Sequence, residues 1–221
     1  MPFHVGFVLF PNLTQLDFTG PLQVLSRLPD AEVHLIAKTM EPVPSDGALS
    51  IPPTVTFDDC PDLDLICVPG GHGVADQIND ADTVGFIRRQ GESAKYVTSV
   101  CTGAFLLGAA GLLQGKRATT HWGYTDVLPL VGATYEPARV VRDGHTITAG
   151  GVTSGIDFGF TVLAEIAGEE AAKAVQLGLE YDPMPPFYSG SPARASDAVK
   201  AQVAPRYAAA AQRYRDELEK A

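Results

Sequence analysis

Positions 3–10 are apolar almost without a break, with Phe3, Val5, Phe7, Val8, Leu9 and Phe10 around Gly6. An uninterrupted run rich in β-branched and aromatic residues predicts a strand covered on both faces of a parallel sheet. The same pattern returns at 31–37, at 63–68 before Pro69-Gly70-Gly71, and at 96–100. Between these runs the period lengthens. Gly20-Pro21 predicts a helix over 22–28, proline being tolerated in a first turn. Ala81, Val84, Phe86 and Ile87 form an apolar stripe over 80–94, with Asp80 as its N-cap. The Pro-, Asp- and Ser-rich stretch 42–62 predicts short extended pieces and turns. Two strands over 138–141 and 145–149 pair through a turn at Asp143-Gly144, the strongest hairpin signal in the chain. Helices are predicted over 153–165, 169–181 and 195–220. Alternation of strands and helices makes this an α/β fold with a mainly parallel sheet.

With 221 residues and 45% hydrophobic content, the chain can bury one substantial core. Residues 1–192 read as one domain and 193–221 as a helical extension of it. A net charge of −10 argues against nucleic acid, which requires a clustered basic surface. The first apolar run ends at Pro11 and has no basic leader, which argues against a signal peptide or membrane span and points to the cytoplasm. Cys60, Cys67 and Cys101 are odd in number and lack CxxC spacing, so neither a disulfide framework nor a zinc site is expected.

Cys101 stands where the run 96–100 meets the helical run starting at Gly103. A thiol at such an elbow faces free backbone N–H groups and the positive end of a helix, which favours the thiolate. The same residue also fits a buried core cysteine. In parallel sheets a site forms at the carboxyl ends of strands where connections diverge. Three segments therefore converge: 11–20 with Asp17, 69–73 with Gly70 and Gly71, and the elbow with Cys101 and Thr102. Asp17 reads equally as an N-cap or loop acid. The Gly70 and Gly71 amides can form an oxyanion nest or simply a tight turn. Gly150 and Gly151 either admit close approach to the site or serve the hairpin's end. His121 and His145 are candidate bases.

Ser99-Val100-Cys101-Thr102-Gly103-Ala104-Phe105-Leu106-Leu107-Gly108 and Thr119-Thr120-His121-Trp122 resemble the DJ-1/PfpI superfamily. Further matches are Gln15-Leu16-Asp17-Phe18-Thr19-Gly20-Pro21, Val68-Pro69-Gly70-Gly71, Thr148-Ala149-Gly150-Gly151 and Tyr181-Asp182-Pro183. The resemblance implies a flavodoxin-like three-layer sandwich with a nucleophile elbow and an added C-terminal helix, a homodimer, and neither cofactor nor metal. It is strongest to the branch that adds water to an isocyanide, R–N≡C, to give an N-substituted formamide. Thr102 replaces the histidine that protease-like members carry after the nucleophile, and Asp17 replaces the longer glutamate of the DJ-1 branch.

That reaction needs a sulfur nucleophile and a proton carrier in one small site. Cys101 and Asp17 supply the pair, through a covalent thioimidate on Cys101. Thr102 is expected to hydrogen-bond an acid or the substrate nitrogen, and the Gly71 and Thr102 amides to face developing negative charge. Two alternatives stand beside this. One is a ligand-sensing domain like that of AraC-type regulators, although 193–221 is too short for their DNA-binding unit. The other is a redox-protective or glyoxalase-like protein using the same cysteine.

Overall fold

The computed structural model describes residues 2–220. Seven strands form the main sheet: β1 (Phe3–Val8), β2 (Ala31–Ala37), β3 (Val55–Thr56), β4 (Leu65–Val68), β5 (Tyr96–Val100), β6 (Val140–Asp143) and β7 (Thr146–Ala149). Their order is β6-β7-β5-β4-β1-β2-β3, parallel throughout except where β6 runs antiparallel to β7. The chain builds outward from β1 to β2 and β3, then returns to the other side of β1 with β4. The connections leaving β1 and β4 therefore diverge, and their carboxyl ends form the switch point of the sheet.

Helices cover both faces. α1 (Gln15–Leu25), α5 (Ser154–Ala167) and α6 (Glu169–Gly178) pack together on one side. On the other lie α2 (Val74–Gln77), α3 (Ala81–Ser93), α4 (Gly103–Ala109), a 3-10 helix over Trp122–Val131, and α7 (Asp197–Leu218). Strand β4 is buried at every position, as its unbroken apolar sequence requires. Asp80 caps α3 as expected, its carboxylate accepting from the Thr83 amide at 2.8 Å. No helix is long and apolar enough to cross a membrane among the described residues.

Two elements differ from the sequence expectation. α1 begins at Gln15, not Leu22, so Pro21 lies inside the helix and Asp17 in its first turn instead of in a loop. Burial of Phe18, Val24 and Leu25 against the core and the packing of α1 on α5 outweigh the hydrogen bond that Pro21 removes. The 3-10 helix over Trp122–Val131 was not anticipated, its pattern being interrupted by Gly123 and Pro129. The terminal helix expected over 195–220 is present as α7, which runs through Pro205 and buries Ala211 and Tyr214.

Candidate active site

Cys101 leaves β5 with φ of 58°, a left-handed conformation that costs a non-glycine residue about 1–3 kcal/mol. Two carbonyls over-determine it, since the Cys101 amide donates to Ala149 O and Gly150 O, both at 3.0 Å. The Thr120 hydroxyl donates to Cys101 O at 2.7 Å. Immediately after the elbow, α4 starts so close to β4 that a side chain at Gly103 would stand 2.1 Å from Val68 O. The elbow is thus held on both sides, and Cys101 is buried at 6% exposure.

Asp17 is fully buried beside that sulfur. Its Oδ2 accepts from the Gly70 amide at 3.0 Å, while Oδ1 has no hydrogen-bond partner within the protein. Burial pushes the Asp17 carboxyl up to about 7, against the opposing pull of its Cys101 and Gly70 neighbours. The thiol is raised well above its ordinary value by burial and then by the Asp17 charge, opposed by the Thr102 and Val152 amides that point at the sulfur. The two groups share their protons as one system. The thiol acidified by a helix end that the sequence suggested is therefore corrected: α4 has only seven residues, and desolvation outweighs the amides.

The glycine nest is also corrected. The Gly70 amide is engaged by Asp17, and the Gly71 amide donates to Thr102 Oγ1 at 3.0 Å, so neither is free for an oxyanion. Both glycines still serve the site. A Cβ on Gly70 would lie within 2.8 Å of Thr102 N, Thr102 Oγ1 and Asp17 Oδ2. Gly71, at φ of 135°, passes so close to the first loop that a Cβ would stand 2.5 Å from Asn12 O and Thr14 N. The amides that do face the sulfur belong to Thr102 and Val152, and Val152 holds a positive φ of 21°.

Gly150 carries a carbonyl to the Cys101 amide, and Gly151 leaves room for the His121 ring, whose Cδ2 would be 2.3 Å from a Cβ there. His121 Nδ1 accepts from the Gly123 amide at 3.1 Å, and burial lowers its pKa to about 4, so the ring is neutral at working pH. Its ring centroid lies 4.8 Å from that of Tyr207. Thr102 does not reach out to a ligand: its hydroxyl accepts from Gly71 beside Tyr214, whose own hydroxyl donates to Gly71 O at 3.1 Å. Cys60 and Cys67 lie elsewhere, raised by burial to about 11 and about 12.

Tyr214, Tyr207, Tyr124 and Val152 escaped the sequence reading. Tyr214 packs at 5.1 Å from Phe105 and 5.2 Å from Tyr124, closing the site with a residue from α7. The recurrence of Tyr207 and Tyr214 seven positions apart, on one face of a helix, was the available signal.

The DJ-1/PfpI family model matches residues 4–165. The chain belongs to the DJ-1/PfpI family. It is 57% identical over 199 residues to isonitrile hydratase of Pseudomonas putida, covering 90% of this chain and 87% of that protein. The crystal structure of a ThiJ/PfpI family protein from Pseudomonas syringae superimposes with a TM-score of 0.96 at 40% identity, over 99% of this chain and 91% of that one. An HTH-type transcriptional regulator of Pseudomonas aeruginosa is 26% identical over 191 residues, which span 82% of this chain and 51% of the regulator.

Proposed function

We propose that this chain is a cysteine-dependent lyase that adds water to an isonitrile to release an N-substituted formamide. The observation that carries this reading is the 57% identity to isonitrile hydratase along most of both chains. The regulator is far less similar, so ligand sensing is the weaker reading. The burial of the thiol and of Asp17 in one site, with Oδ1 unpartnered, supplies the chemistry.

The Cys101 proton passes to Asp17 as Sγ bonds to the terminal carbon, and Asp17 returns it to that carbon, giving a thioimidate, R–N=CH–S–Cys101. Water then adds across C=N: Asp17 takes a water proton as hydroxide bonds to carbon and delivers that proton to the nitrogen, which leaves Asp17 ionised again. Breaking the C–S bond yields R–NH–CHO, and the hydroxyl proton returns through Asp17 to the thiolate. The Thr102 and Val152 amides hold the sulfur while it carries charge. Gly70 and Thr102 position Asp17 and its loop. No step calls on a cofactor.

The protein is proposed to act as a homodimer in the cytoplasm, with residues 193–221 completing the domain formed by 1–192; placement of Tyr214 over the site supports the last point. The test is incubation with a simple aryl isonitrile and with methylglyoxal, following the formyl proton by NMR. Formamide from the isonitrile and no turnover of methylglyoxal is the expected result. The reverse pattern would replace hydration with a glyoxalase-like reading.

A further inference from the structure

At the end of the sheet opposite Cys101, β1 and β2 bring His4, Glu32 and His34 together. The parallel register sets His4 against Glu32 and Gly6 against His34. Alternate strand residues share a face, so the three side chains project on the same side of the sheet. His4 Nδ1 lies 2.9 Å from His34 Nε2 and 3.9 Å from Glu32 Oε2. One donor atom from each residue falls within 4.8 Å of both others. His34 is buried, His4 half-buried and Glu32 exposed at the rim of a surface depression of about 550 Å³ that it forms with Pro2, Asp30 and Ala31.

We propose that these three residues form a binding site for a divalent transition-metal cation of the Zn²⁺ type. Two imidazole nitrogens and one carboxylate oxygen are the donor set such ions prefer, whereas Ca²⁺ and Mg²⁺ require oxygen donors throughout. Bonds of about 2.0–2.2 Å in tetrahedral geometry separate neighbouring donor atoms by roughly 3.3–3.5 Å. The observed separations of 2.9 and 3.9 Å bracket that value. The His4–His34 separation would widen by about half an ångström through small rotations of the two rings, and the exposed Glu32 carboxylate would close on His4 by a similar amount through rotation of its own side chain. Two strands of the central sheet hold both histidines, so their backbone is already in register and only side-chain rotations are needed on binding. The ion would clamp β1 to β2 and stabilise the folded state, with no part in the Cys101 chemistry.

The test uses the full chain carrying Cys101→Ala, which removes the active-site thiol as a competing ligand. ZnCl₂ is titrated into metal-free protein against a chromophoric chelator, with thermal unfolding followed in parallel. One Zn²⁺ per chain and a raised Tm are expected. Glu32→Gln and His34→Asn should each weaken binding at least about tenfold and abolish the Tm rise. Co²⁺ as a second probe should give a d–d spectrum without a sulfur charge-transfer band. In the wild-type background, Glu32→Gln should leave isonitrile turnover unchanged. Absence of Zn²⁺ binding, equal affinity in both variants, or a thiolate band placing the metal on Cys60 or Cys67 would overturn the proposal. Glu32 is exposed, so its variant decides the matter even if His34→Asn does not fold.

Discussion

The Gly70 amide nitrogen stands 3.0 Å from Asp17 Oδ2, and the approach exists only because Gly70 has no side chain: a Cβ there would sit 2.8 Å from the same oxygen. Gly70→Ala must therefore displace either Asp17 or the Thr102 backbone, 2.6 Å from that Cβ. The expected cost is about 1–3 kcal/mol of stability, as for overpacking elsewhere. Turnover should fall about 10²-fold, the scale on which a misplaced catalytic group acts. Kinetics beside thermal unfolding separate the two effects, and full turnover from a destabilised variant would release Asp17 from a positional requirement.

The pH profile follows from the shared protons of Asp17 and Cys101. With the Asp17 carboxyl at about 7 and the thiol well above its ordinary value, the pair is doubly protonated in acid and singly protonated above neutrality. The singly protonated pair is the form that can offer sulfur and still deliver one proton. Activity should rise with pH through about 7 to a plateau. His121, neutral above about 4, adds no inflection near neutrality.

Stability should move the other way. A carboxyl raised from 3.8 to about 7 on folding contributes stability that is fully present below 3.8 and lost as pH rises through about 7. Asp17→Asn should remove this dependence, which urea unfolding at several pH values will register.

Asp17→Asn also separates hydration from a redox role. Loss of the proton carrier should cut isonitrile turnover at least about 10²-fold. Removal of its charge relieves one of the influences that raise the thiol, so alkylation of Cys101 by iodoacetamide at neutral pH should speed up. A variant with slower alkylation and unchanged turnover would reverse the assigned roles. Tyr214→Phe, by contrast, loses one hydrogen bond to Gly71 O, and about 1 kcal/mol of stability with it.

The strands, the Asp80-capped helix and the Asp143-Gly144 hairpin were legible in the sequence because local periodicity and turn chemistry determine them. The convergence of Asp17, Gly70 and Cys101 was legible because strand order in a parallel sheet decides which loops meet. What each amide does was not legible. Whether Gly71 N–H faces a substrate or Thr102 depends on distances of tenths of an ångström, and whether a thiol is acidified depends on burial that a helix-start motif does not encode. The start of α1 was missed because Pro21 reads as a first-turn residue until the packing against α5 is known. Tyr214 was missed because its role depends on where α7 docks, more than a hundred residues from the loop it touches.

Formamide production by Cys101→Ala is the most direct measure of the central claim. The variant, folded by circular dichroism and supplied with saturating aryl isonitrile, should retain less than about one per cent of wild-type turnover, as expected when an activated nucleophile is removed. The smaller Cys101→Ser should be equally inactive, since a hydroxyl is far less acidic than a thiol. Formamide release from Cys101→Ala at a rate near that of the wild type would contradict covalent catalysis by this residue.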